Sequence, residues 1–136
     1  MSYCRCEHPR ENDRRPGNCR KCGVRLNPLW LSSDETLAAF QAEVAKLPGV
    51  TPGILIDSHR GERAGRGIYG LAYLGRDNCK EGQAEGSDGL NYAYFDWLND
   101  RRGGIEEIDP DLLDAAHHAA GMYAAFERRR RRLGRQ

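Results

Sequence analysis

The feature that most constrains this chain is a cluster of thiols in its first 22 residues. Four of the five cysteines lie there, Cys4, Cys6, Cys19 and Cys22, with Cys79 alone further on. The string Cys4-Arg5-Cys6-Glu7-His8 is followed by ten residues and then by Cys19-Arg20-Lys21-Cys22-Gly23. The C-x-x-C spacing lets two thiolates point at one ion. The glycine after it permits a tight turn that aims amide N–H groups at the sulfurs. Cys4, Cys6 and His8 alternate, so an extended segment carries all three on one face. The intervening residues 9–18 are rich in Pro, Gly, Asn and Asp and can close as a loop.

A tetrahedral site takes four ligands, and five donors are on offer. Spacing favours Cys6, His8, Cys19 and Cys22 around Zn2+. The alternate ligand is Cys4, which with Cys6, Cys19 and Cys22 makes an all-thiolate set. Zinc suits short spacing and a mixed Cys/His set better than an iron–sulfur cluster does. Three thiolates and a neutral imidazole on Zn2+ leave one negative charge and four thiolates leave two; nearby Arg5, Arg20, Lys21 and Arg25 would offset either. The odd cysteine count argues against disulfides. So does a charged N-terminus with no apolar stretch behind it, which leads us to expect a cytoplasmic chain. A redox C-x-x-C normally opens a helix after a strand, whereas glycine follows here.

Cys6-x-His8 and Cys19-x-x-Cys22-Gly23, in an Arg-rich and Lys-poor chain, resemble the zinc-ribbon or zinc-finger-like segments at the N-termini of small actinobacterial and phage proteins. The resemblance covers residues 1–28. It implies a zinc knuckle of the kind that serves DNA, RNA and protein contacts alike.

The formal net charge of +1 conceals a pattern. Residues 1–28 hold seven Arg/Lys against three Asp/Glu, residues 29–104 eight against eleven, and residues 105–136 six against six. The last ten residues carry six Arg and one Glu. Basic ends can meet phosphate or an acidic protein surface. No apolar run approaches the roughly 18 residues of a membrane helix, so no membrane partner is expected.

Residues 29–136 carry no family resemblance and no internal repeat. Ser32 and Glu35 read as a capping box for a helix to about Leu47. Residues 53–57 (Gly-Ile-Leu-Ile-Asp) read as a short strand, and residues 68–74 as a second. Between them lies a Gly/Arg loop, and residues 75–89 read as another. Asn91–Asn99 reads as a short aromatic helix, with Tyr92 and Phe95 packing in the core. Asp109 and Pro110 open a last helix that runs to about Leu133. On it, Leu112, Leu113, Ala116, Ala119, Met122, Tyr123 and Phe126 share one wide arc.

Other candidates for chemistry have a plainer explanation. His117 and His118 diverge by about 100° on a helix and cannot easily chelate one ion; His118 suits a pairing with Asp114. Asp57-Ser58-His59 at a strand end could be catalytic, but chain neighbours seldom form a working triad. Gly61–Gly67 lacks the Gly-Lys-Ser/Thr ending of a phosphate loop. Cys79, in a polar loop, reads as an idle surface thiol.

The expected architecture is α+β. Residues 1–28 form a small zinc knuckle. Residues 29–136 form a compact domain of about three helices and two or more short strands, ending in a long helix with an Arg-rich C-terminus. The expected function is non-enzymatic nucleic-acid binding of a regulatory kind, in transcription or replication. DNA or RNA phosphates would meet Arg5, Arg14, Arg15, Arg20, Lys21 and Arg25, together with Arg128, Arg129, Arg130, Arg131 and Arg132. The alternative is a protein-interaction module that grips an acidic surface of a host or partner protein.

Overall fold

The structure is a computed structural model that describes residues 2–7, 9–69 and 76–135. Among the described residues the architecture is mixed α+β and mostly helical: four α-helices and one two-stranded antiparallel sheet. The chain divides into two compact units, Met1–Arg76 and Asp77–Gln136. No helix among the described residues is long and apolar enough to cross a membrane.

The first unit opens with the cysteine-rich segment. Strands β1 (Glu11–Asn12) and β2 (Arg15–Cys19) pair antiparallel, with Glu11 opposite Cys19 and Asn12 opposite Arg15. Asn12 Oδ1 accepts the Arg14 N–H at 2.9 Å, which closes the turn between them. The chain then doubles back. Asn18 bridges Arg25, and the Leu26 N–H reaches the Gly17 carbonyl at 2.8 Å. Residue 4 joins the far side, its N–H donating to the Arg25 carbonyl at 2.8 Å. Three extended segments thus lie side by side, and the side chains they bury are Cys4, Cys19 and Leu26.

After a 3-10 turn at Pro28–Trp30 come α1 (Asp34–Val44) and α2 (Pro52–Tyr69). The cap of α1 is displaced by one residue from the expected box. Ser33 Oγ accepts the Thr36 N–H at 3.2 Å, and Thr36 Oγ1 accepts the Ser33 N–H at 2.9 Å. Ser32 is engaged elsewhere, its hydroxyl 2.5 Å from Glu62 Oε1. The strand expected over residues 53–57 is instead the start of α2, and the Gly/Arg stretch 61–67 is its continuation. The reason is visible in the spacing. Leu55, His59, Glu62, Gly65 and Arg66 are the half-buried positions among those described, a helical repeat carried mainly by polar side chains. Residues 70–74 of the second expected strand lie outside the described residues, and Ile68 and Tyr69 end α2.

The second unit is a helical hairpin of α3 (Asn78–Arg102) and α4 (Pro110–Arg132). As expected, Asp109 caps α4, its Oδ1 accepting the Asp111 N–H at 2.7 Å, with Pro110 in the first turn. The loop expected at 75–89 is largely the first half of α3. Its glycines are packing positions. A Cβ on Gly82 would overlap the Phe126 ring, and one on Gly86 would stand 3.0 Å from the Ala119 carbonyl oxygen and 3.1 Å from Tyr123 Cβ. Close approaches recur along the hairpin, with Gly82 against Phe126, Gly86 against Ala119 and Tyr123, Gly89 against Ala119, and Gln83 bonded to Arg130. They mark the seam between the two antiparallel helices. The stripe is narrower than the arc expected on α4, and Leu113 and Met122 stay exposed. Tyr92 and Phe95, expected in the core, are exposed on the outer side of α3.

The packing yields a pair of opposite predictions. Gly86→Ala should lower stability by about 1–2 kcal/mol, because the clash is with backbone and outweighs the gain in helix propensity. Gly121→Ala, at a helical position with nothing within 4 Å, should raise it by up to about 1 kcal/mol. Urea unfolding of the two variants checks the signs.

Candidate metal centre

The three extended segments of the first unit converge on sulfur. The thiol sulfurs of Cys4, Cys6, Cys19 and Cys22 all lie within 4.8 Å of one another. Cys4 comes from the first segment, with Cys6 two residues on. Cys19 ends β2, and Cys22 sits on the turn that follows. That turn is closed by Gly23, whose N–H donates to the Cys19 carbonyl at 2.8 Å, and by the Cys19 N–H donating to Val24 at 2.8 Å. Gly23 has φ +72, with nothing within 4 Å of its missing Cβ. Glycine is therefore required there by the backbone angle and not by crowding. Asn18 braces the same turn through a side-chain bond to the Gly23 carbonyl at 3.0 Å.

The geometry suits an ion. Four thiolates held about 2.3 Å from a tetrahedral centre stand ~3.8 Å apart. Cys6 and Cys19 are 3.9 Å apart. A maximum spacing of 4.8 Å asks only for a small contraction, and Cys22 is exposed on its turn and can supply it. Cys4, the alternate ligand on spacing, is therefore within reach of the other three thiols. His8 lies outside the described residues.

The thiols are unequal. Burial pushes Cys4 up to about 12, against the opposing hydrogen bond from the Cys6 N–H. At Cys6 the contact with Cys4 favours the thiolate, yet burial and the neighbouring Cys22 and Cys19 raise the thiol overall. Cys19 goes the other way. Burial opposes its ionisation, but backbone hydrogen bonds at Arg10, Cys22 and Lys21 and a contact with Cys4 bring it down to about 6. The cluster thus stabilises one thiolate, at Cys19, and resists a second while no cation is present.

The basic residues expected to make contacts are divided between the units. Arg5, Arg14, Arg15, Arg20, Lys21 and Arg25 are all exposed around the cysteine segment. Arg128–Arg132 close α4 in the second unit. Arg130 is drawn inward, its Nε 3.3 Å from Asp77 Oδ2 and its Nη1 2.6 Å from Gln83 Oε1. Arg131 pairs with Glu127. Arg128, Arg129 and Arg132 remain exposed.

The other candidates resolve simply. Asp57 and His59 sit two apart on α2 and so point about 200° apart. His59 Nε2 lies 3.8 Å from Asp34 Oδ1. Arg66 of the Gly/Arg stretch is spent on Asp34 at 2.8 Å and on Glu62 at 3.2 Å. The Arg66 hydrogen bond is the main reason that the Asp34 carboxyl lies below its ordinary range. His118 Nε2 pairs with Asp114 at 3.4 Å, as the helical spacing predicts. Cys79 is the correction. It is buried in the first turn of α3, not idle on a loop, with the Arg135 guanidinium 3.8 Å from its sulfur. Position 79 begins the i, i+4, i+7 series Cys79-Gln83-Gly86, which was the available signal.

No protein-family model matches this chain, and neither does any curated protein or solved structure.

Two predictions follow from the sulfur cluster. Cys19 is held down to about 6, while Cys4 and Cys6 are raised and favour the protonated thiol. Uptake of a divalent ion should therefore release protons, chiefly from Cys4 and Cys6. Protons compete with the ion, so affinity should rise as pH rises from about 6. Titration calorimetry in buffers of differing ionisation heat reads both effects. Separately, Cys19→Ala should abolish metal uptake, whereas Cys79→Ala should keep about one ion per chain by elemental analysis.

Proposed function

We propose that Cys4, Cys6, Cys19 and Cys22 bind one Zn2+ and that the resulting platform grips nucleic-acid phosphates without catalysis, in a regulatory role of the kind found in transcription or replication. The convergence of four sulfurs within 4.8 Å carries this reading. An all-thiolate tetrahedral set is a soft donor set that suits zinc, and its closed coordination suits a structural ion. The resemblance of residues 1–28 to zinc ribbons points the same way. Four thiolates on Zn2+ leave two negative charges, which the exposed cations of the same segment offset. Among the described residues, Arg5, Arg10, Arg14, Arg15, Arg20 and Lys21 make no ion pair, so they are available to phosphate.

Six such contacts on a duplex predict a slope of about −5 in log K against log salt. Reversing Arg14 and Arg15 to Glu should shrink the slope by about two. A chelator should abolish binding by releasing the platform. Fluorescence anisotropy with labelled DNA and RNA at several salt concentrations tests this. Absence of binding at low salt to either nucleic acid removes the nucleic-acid part, while elemental analysis tests the zinc part independently.

A second reading is favoured by one observation. Phe40 and Leu47 in and just beyond α1, and Ile54 and Ile56 on α2, are exposed. Exposed apolar side chains of this size on α1 and α2 suit contact with a protein partner. Nuclease-resistant recovery of a single stoichiometric partner would support that alternative.

A further inference from the structure

The helical hairpin of the second unit carries an open apolar groove in its acidic end. The groove, of about 390 Å³, is lined mainly by Leu90, Tyr94 and Trp97 of α3, by Ile108 of the connecting loop, and by Leu112 and Leu113 of α4. Tyr94 is 51% exposed and Leu113 54%, so water meets large apolar side chains on both walls. Single exposed apolar residues are ordinary on a protein surface, but these converge on one concavity.

Charge at this end has one dominant sign. Residues 96–114 hold seven Asp/Glu against two Arg, a balance of −5. Glu107 and Asp109 flank Ile108 in the chain, and Asp114 follows Leu113. Among the described residues, Asp114 alone of the seven has a close basic partner, His118 at 3.4 Å. Arg101 makes no ion pair there; its guanidinium carbon lies over the Trp97 ring, 5.0 Å from the centroid. The root of the hairpin, at the opposite end, instead pairs Arg130 and Arg135 with Asp77 inside the chain. The fold accounts for Asp109, which caps α4, and for Asp111 in its first turn, where a helix end favours anions. It does not account for Glu106 and Glu107 in the loop. Nor does it account for Asp100 in the last turn of α3, where a helix end favours cations.

We propose that this groove docks a basic amphipathic helix of a partner protein. Carboxylates without internal partners, set beside an apolar opening, attract cationic chains and repel nucleic-acid phosphate and anionic lipid. Both walls are helices whose backbone hydrogen bonds are internal, so no sheet edge is offered for an added strand. Leu90 and Trp97 stand seven residues apart on α3, about 10.5 Å or two turns along the axis. Apolar anchors at i, i+3 or i+4, and i+7 of an incoming helix cover that same length. Burying Leu90, Tyr94 and Leu113 supplies the attraction. Lys or Arg at the edges of the incoming apolar face meet Glu106, Glu107 and Asp114, which sets the choice of partner. This inference is independent of the metal and nucleic-acid reading.

Fluorescence anisotropy with the full, zinc-supplemented chain tests it. The probe is a labelled peptide of about 15 residues, made of Leu and Lys with Leu confined to one helical face. It should bind, and its controls should bind more weakly by about tenfold or more. The controls are the same composition scrambled, Glu in place of Lys, and a central proline that breaks the helix. Leu113→Gln and Tyr94→Gln, on opposite walls, should each weaken binding about tenfold. Helical circular dichroism should stay unchanged in both, because each side chain is half exposed. Glu106→Gln with Glu107→Gln should weaken binding about threefold and flatten its salt dependence. Absence of binding by the Leu/Lys peptide overturns the inference. So does equal binding by any control, or indifference to both wall variants. Sedimentation that shows self-association, lost on Leu113→Gln, makes a second copy the occupant and overturns it too.

Discussion

Everything in the first unit rests on four sulfurs that share one small space. The buried residues there are Cys4, Pro9, Cys19 and Leu26, with Cys6 and Leu31 packed at the edge. One buried leucine contributes about 2–3 kcal/mol. Ordering each residue of backbone costs about 1–2 kcal/mol. Hydrocarbon burial alone cannot hold twenty-odd residues in place, so an ion at the four thiols would add most to the strand pairing and the Gly23 turn. The thiols themselves are unequal in acidity. Backbone N–H groups are aimed at Cys19, while Cys4 is buried with little compensation. A cation relieves both conditions at once, because it replaces protons on the buried sulfurs and neutralises the repulsion among thiolates.

The second unit solves the same shortage differently. It has few large apolar side chains in its seam, and it gains contact by closeness. Gly82, Gly86 and Gly89 let α3 approach the backbone and rings of α4. Each glycine costs about 1 kcal/mol of helix propensity relative to alanine, which close packing must offset. At the root the seam turns polar. Asp77, Gln83 and Arg130 bond to one another, and Arg135 reaches both Asp77 and Cys79. The amide groups and cations there hold the Asp77 carboxyl below its ordinary range in spite of its partial burial. That network fixes the register of the two helices where their side chains offer little shape.

Charge is sorted by function along the chain. Among the described residues of the cysteine segment the cations are exposed and make no ion pair, apart from Arg25, which is engaged. In α2 and at the root of the hairpin, arginines of similar sequence context are internal fasteners, as Arg66 and Arg130 are. Five consecutive arginines thus do not act as one patch. Arg130 lies on the seam, Arg131 is tied to Glu127, and the other three face water. A run in sequence sweeps around a helix, so each member meets a different environment.

The sequence by itself determined the features that are local. Cysteine spacing announced the sulfur cluster, Gly23 the turn, Asp109 and Pro110 the start of α4, and the i, i+4 step the His118–Asp114 pair. Each depends on residues within a few positions of one another. It could not determine α2 or the first half of α3, because their inward positions are polar or glycine: His59, Glu62 and Arg66 in one, Cys79, Gln83 and Gly86 in the other. Glycine signals a loop until a second helix comes close enough to need the missing side chain. Whether Tyr92 and Phe95 face in or out, and whether Cys79 is buried, was likewise settled only by which neighbour each helix found. Those are long-range contacts, and no local pattern encodes the partner.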